Sequence, residues 1–129
     1  MAYTPGDGLG YWLGLASGML MLTLFAYPMR KHMRCLRCAG HVRCWFCVHM
    51  WTAIVATALA VAHSKLELRS ANASLAFWGM LALTGSGLVG RYLGTRAKKL
   101  LHVWHVVHVP LSYLLALVVV AHVVAVHMY

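Results

Sequence analysis

His49 and His63 stand fourteen residues apart in one apolar run of this chain, and His108 and His122 stand fourteen apart in another. Fourteen residues make four turns of a helix tightened to 3.5 residues per turn, so both imidazoles of a pair leave nearly the same face. At 1.5 Å rise per residue they are about 21 Å apart along the axis. Two such helices side by side would set the four imidazoles as two facing pairs, one toward each side of a membrane. Facing imidazoles suit bis-histidine ligation of two stacked haems, and the chemistry expected is one-electron transfer across the membrane. Nine histidines scattered at random would give roughly half a pair at any one spacing, so two pairs exceed chance. An ionisable residue inside hydrocarbon is costly and points to function, whereas a single such histidine is as readily an interhelical hydrogen bond.

The elements that must carry these residues are apolar throughout. Of 129 residues 62% are hydrophobic and only 10% charged, against about 25% charged in a soluble domain. Four runs, at about 9–29, 46–64, 73–94 and 100–128, approach or exceed the ~20 residues that span a bilayer. The fold expected is all-α, a single transmembrane four-helix bundle with two haems between the second and fourth helices. The net charge of +9 does not point to nucleic acid, because the cations sit between helices. The first connection holds Arg30, Lys31, Arg34, Arg37 and Arg43, the third Arg91, Arg96, Lys98 and Lys99, and the second only Lys65 and Arg69 around Glu67. The positive-inside rule then puts connections one and three in the cytoplasm and both termini outside. Met1–Gly8 contains Asp7 and no Lys or Arg, so the first run is not expected to be a cleaved signal peptide.

Pro28 and the basic residues after it are expected to end the first helix, and Pro110 to interrupt the fourth two residues past His108. No clean internal repeat is visible beyond the shared fourteen-residue spacing. Gly10, Gly14 and Gly18, and Gly79, Gly85, Gly87, Gly90 and Gly94, fall on the two helices without paired histidines. Such stripes allow close helix packing; they would also leave room for flat macrocycles. Lys65 and Arg69 are candidate propionate partners at the outer side, Arg43 or Arg91 at the inner side. His32, His41, His102, His105 and His127 are expected at the interfaces, with a quinone site or a contact to another redox carrier as the alternative for His102, His105 or His127.

Cys35, Cys38, Cys44 and Cys47 form C-x2-C-x5-C-x2-C in the loop expected over 30–47, on the cytoplasmic side. Ala39 and Val48 follow the two pairs where covalent haem attachment would need His. Structural disulfides are rare in that compartment. Four thiolates this close can hold zinc or an iron–sulfur cluster, or stay as free or redox-active thiols.

Several stretches together resemble a family. They are His49-Met50, His63-Ser64 with Arg69-Ser70-Ala71-Asn72, Ser86-Gly87-Leu88-Val89-Gly90-Arg91-Tyr92-Leu93, Trp104-His105, His108-Val109-Pro110-Leu111 and the run from His122 to Tyr129. In these the chain is similar to the diheme b-type membrane cytochromes, a group that includes quinol-oxidising cytochrome b bundles and ferric-reductase-like transmembrane domains. The resemblance implies two haem b held by His49, His63, His108 and His122 in a bacterial inner membrane. It also implies electron exchange with other redox subunits (a c-type cytochrome, an iron–sulfur or flavin protein) or with quinone. The cysteine quartet departs from that pattern. With no flavin- or nicotinamide-binding domain, an electron-transfer subunit is expected rather than a self-contained enzyme. The competing class is a copper, zinc or proton transporter using intramembrane His and cytoplasmic Cys; scattered Met residues and the lack of intramembrane carboxylates weigh against it.

Overall fold

The computed structural model describes residues 8–36, 38–65 and 70–128. Asp7, Arg37, Glu67, Tyr129 and the expected propionate partner Arg69 lie outside the described residues, as do the side chains of Arg96 and Lys98. Among the described residues the chain is helical with no strand: α1 (Leu9–Thr23), α2 (Ala26–His32), a 3-10 turn (Arg34–Leu36), α3 (Val42–Ser64), α4 (Ala71–Arg96) and α5 (Lys98–Met128). Four stretches are long and apolar enough to cross a membrane: Leu9–His32, Val42–Ser64, Ala71–Tyr92 and Lys99–Met128. Their outward faces are apolar, with Trp12, Trp51, Trp78, Val103 and Leu117 all more than 60% exposed, which is the surface that lipid requires and water penalises.

The chain divides into two compact units, Met1–Lys65 and Leu66–Tyr129. In the first, α1 packs antiparallel on α3. Polar contacts cross between them in steps of seven residues: His63 to Gly10, Ala56 to Ser17, His49 to Leu24. The middle step is a buried bond in which the Ser17 hydroxyl donates to the Ala56 carbonyl at 2.8 Å. In the second unit α4 and α5 are separated by Ala97 alone and also pack antiparallel. The same seven-residue step recurs there, with His108 on Ser86 and Leu115 on Gly79. A seam that repeats every seven residues is the 3.5-residue period of left-handed helix packing. Each hairpin therefore carries His, a smaller or apolar residue, and His at successive heptad steps of its second helix. This is an internal repeat of structure that residue identities alone conceal.

Two boundaries differ from those expected. The first helix does not end at Pro28. It breaks at Leu24–Phe25 and resumes as α2 through Pro28 to His32. Proline has no N–H for the carbonyl four residues back, so the strain falls upstream of it, at Leu24. The second apolar helix starts at Val42, earlier than expected, so Cys44 and Cys47 lie inside its first turns rather than in the loop. Pro110 leaves α5 continuous, since proline inside a lipid-spanning helix is tolerated where neighbours satisfy the freed groups.

The glycines mostly receive side chains of their own hairpin. A Cβ on Gly14 would stand 2.7 Å from the His63 ring, one on Gly79 would stand 2.7 Å from Leu115 Cδ1, and one on Gly90 would drive into the indole of Trp104. Gly18 and Gly85, by contrast, face open space. The room expected for macrocycles is thus taken by His63, Leu115 and Trp104 at three of these positions. Gly90→Ala should destabilise the α4–α5 hairpin by about 1–3 kcal/mol through overpacking. Gly85→Ala should be neutral or stabilise by about 0.5–1 kcal/mol through helix propensity. Thermal unfolding of the two variants in detergent micelles, followed by circular dichroism, checks the contrast.

Candidate functional site

His63 lies at the last turn of α3, where its ring rests against the bare backbone of Gly14. Its Nδ1 is 2.8 Å from the Gly10 carbonyl oxygen. A carbonyl can only accept, so Nδ1 carries the proton and donates, and in the neutral ring the lone pair is at Nε2. Two heptads earlier, His49 Nδ1 donates to the Leu24 carbonyl at 3.1 Å. That carbonyl is available because the residue that would bond it within the helix is Pro28, which has no N–H. The Leu24 and Phe25 amides turn back with 3-10 bonds to Met21 and Leu22 at 3.1 and 3.2 Å. Tyr27 lies beside the His49 ring, centroids 5.3 Å apart.

In the second unit His108 Nδ1 is 2.7 Å from the Ser86 hydroxyl oxygen. Either group could donate in principle. The Ser86 hydroxyl, however, gives its hydrogen to the Leu83 carbonyl at 2.9 Å, which leaves Ser86 to accept and His108 Nδ1 to donate. The ring of Trp104 stacks on His108, centroids 4.6 Å apart and planes 24° from parallel. Its indole N–H donates to the Ser86 carbonyl at 2.8 Å. Ser86 thus holds the imidazole by its side chain and the covering indole by its backbone, and the Gly90 notch admits that indole. His122, two heptads on, lines an open cleft with Ser70, Ala71, Asn72, Ala125 and Val126, between the start of α4 and the end of α5. Ser70 caps α4 there, its hydroxyl accepting the Ala73 amide at 3.1 Å.

The nine histidines separate by burial. His49, His63, His108 and His122 are half-buried, and His32, His41, His102, His105 and His127 are exposed. His127 bonds within its own helix, Nδ1 to the Val123 carbonyl at 2.7 Å. The structure thus brings His49 and His63 onto one seam, and His108 and His122 onto α5 of the other unit. Lys65, at φ 47° in the left-handed position that closes α3, stands two residues beyond His63. Arg43 and Arg91 are exposed. All four cysteines are exposed and none is in a disulfide. Among the described residues no three or more of His, Cys, Asp and Glu converge as a metal cage.

These rings fit a haem iron in one specific respect. Ligation through Nε2 needs a neutral imidazole whose Nδ1–H is held by an acceptor, which fixes the tautomer and ring plane and raises ligand basicity. His49, His63 and His108 each have that acceptor. Leu24 with Pro28, Ser86 and Trp104 were not singled out for this task by the sequence. The signal for the first was the Pro28 spacing, four residues past a carbonyl. For Ser86 it was the position two heptads from Asn72, visible only once the hairpin register is known. No protein-family model matches this chain, and comparison with curated proteins and with solved structures gives no match.

Ser86→Ala removes the acceptor under His108 and should leave its ring a mixture of tautomers, at a cost of about 1–3 kcal/mol for the orphaned N–H. Nitrogen-15 spectra of the imidazoles in micelles should show that change at His108 only, with His49 and His63 still protonated at Nδ1 and Ser86→Thr like the parent. An unchanged His108 would rule out the assigned bond direction.

Proposed function

We propose that the chain is a diheme b-type cytochrome unit that carries electrons across a bacterial inner membrane. The observation that supports this most directly is the common tautomer. Three of the four half-buried histidines donate from Nδ1 to the neighbouring helix of their own hairpin, and so present Nε2 as the basic nitrogen. A histidine serving only as packing glue needs one hydrogen bond from either nitrogen; a ligating set needs the same nitrogen kept back every time. In this reading the four half-buried histidines would supply the axial ligands of two haems. When bound, haem iron supplies reversible one-electron exchange between its ferric and ferrous states.

The protein's own part is to hold and to insulate. The heptad seam keeps the rings of a hairpin about 21 Å apart along the axis, so an otherwise prohibitive tunnelling distance becomes two shorter hops. Gly14 lets the His63 ring lie against backbone, and Trp104 closes one face of His108 to water. Lys65 and Arg91, with Arg69 in the connection between hairpins, would answer the propionate charges. Electrons would pass between cytoplasmic or quinone donors and periplasmic acceptors, with both termini periplasmic and the partner subunits supplying any catalysis. The exposed His102 and His105 lie on the end of α5 where such a donor would approach.

Reduced-minus-oxidised spectra and pyridine-haemochrome analysis of the protein in micelles test the proposal. Two haem b per chain are expected. His63→Ala should lose one of them, whereas His105→Ala should keep both. Haem-free protein that instead binds or moves copper or zinc would assign the histidines to a metal path.

A further inference from the structure

We propose that Cys35, Cys38, Cys44 and Cys47 hold one thiophilic metal centre through four thiolates, at the loop that joins α2 to α3. The inference does not rest on haem binding. Two C-x-x-C pairs separated by five residues are a dense donor set, and the structure shows how the chain between them is folded back. Gly40 takes a left-handed φ of 74° and reverses the direction. The Arg30 guanidinium donates to the Gly40 carbonyl, and the Trp45 indole donates to the Ala39 carbonyl. Arg30 also lies over the Trp45 ring, 5.8 Å from its centroid. This clamp ties the residue after Cys38 to the residue after Cys44. The first pair is thereby tethered to the second, although only five residues lie between them. Cys44 and Cys47, three apart in the first turns of α3, share one helix face. All four thiols are exposed and free of disulfides, so an incoming ion can reach them.

Charge makes the case stronger. Arg30 is only 6% exposed, and Lys31, Arg34 and Arg43 follow it in sequence. No carboxylate occurs between Asp7 and Glu67. Four thiolates on a divalent ion carry a net double negative charge, which the basic side chains of this loop would favour. Each thiol gives its proton to solvent as it ligates. The four side chains are not gathered in the described structure. Capture of the ion therefore draws the 3-10 turn of Cys35 toward the first turns of α3, as expected where ligand binding and local folding are one process. A zinc ion would make the loop a structural clasp. Iron, alone or as an iron–sulfur cluster, would place a redox centre two residues from His49.

The test uses the full chain, purified without oxygen in micelles, and reads three quantities. Elemental analysis should find zinc or iron in excess of any haem iron. Alkylation followed by mass measurement should modify no cysteine before chelation and four per chain after it. Cys44→Ser and Cys35→Ser should each lose the metal while keeping the helical circular dichroism of the parent. Cys35→Ser leaves α3 untouched, so it decides the matter if Cys44→Ser fails to fold. Metal-free protein whose four thiols alkylate at once would overturn the proposal, as would metal retained in both variants. Zinc found without iron, or iron without zinc, supports it and identifies the centre.

Discussion

A ring N–H facing hydrocarbon must find an acceptor, and most helix carbonyls around it are already engaged in their own ladder. Leaving such a group unsatisfied costs about 1–3 kcal/mol even in a water-soluble protein, and more in lipid, where no solvent can substitute. The hairpins are organised around that requirement. In α1 the acceptor at Leu24 exists because Pro28 cannot use it. At Gly10 the carbonyl lies at the first turn of α1, and a glycine one turn on lets the imidazole come within reach of it. In α4 the acceptor is a side chain, Ser86, whose own hydrogen is already committed to Leu83. These are three solutions to one electrostatic demand, and each leaves the ring in the same protonation geometry.

The demand propagates into helix packing. A histidine that reaches across to its partner must sit on the seam, and in each hairpin the second histidine of the pair follows two heptads later. The step between them then has to be small or apolar on at least one side, because two bulky residues would force the helices apart. Ala56 faces Ser17 and Leu115 faces Gly79 at that step. Fourteen residues thus separates the two histidines of each hairpin by two heptads, with Ala56 or Leu115 packed at the step between them. The histidine spacing and the helix packing share one period.

Much of this was legible in the sequence, but unevenly. The four apolar helices follow from composition and length alone, and the paired histidines from spacing. The four half-buried histidines coincide with those pairs, because a polar ring at a heptad position has nowhere else to point. The register of each hairpin was not legible. It depends on which residue of α1 or α4 lies opposite, and Ser86 or Leu24 has no mark of its own until that is known. The glycine stripes were ambiguous for the same reason. Space beside a glycine looks identical in sequence whether a cofactor or a neighbouring Trp104 fills it. The start of α3 was placed late because two cysteines and several cations read as loop, while Trp45 anchors that turn to Ala39 and lets the helix begin at Val42.

The acceptors are not equivalent, and the difference bears on how firmly each imidazole is held. A peptide carbonyl polarised by its helix is a fixed acceptor that no side-chain substitution removes. The Ser86 hydroxyl is a weaker acceptor, strengthened because it donates onward to Leu83, a chain in which each bond polarises the next. Such a hydroxyl can also rotate away, and the surroundings of His108 oppose this. Trp104 is pinned to the backbone of the same serine and covers the imidazole face, so the ring and its acceptor are held by one rigid group. His49 and His63 need no such cover to keep their acceptor, since a main-chain carbonyl cannot leave. Where the acceptor is a side chain, the protein adds an aromatic clamp; where it is backbone, a proline or a glycine suffices.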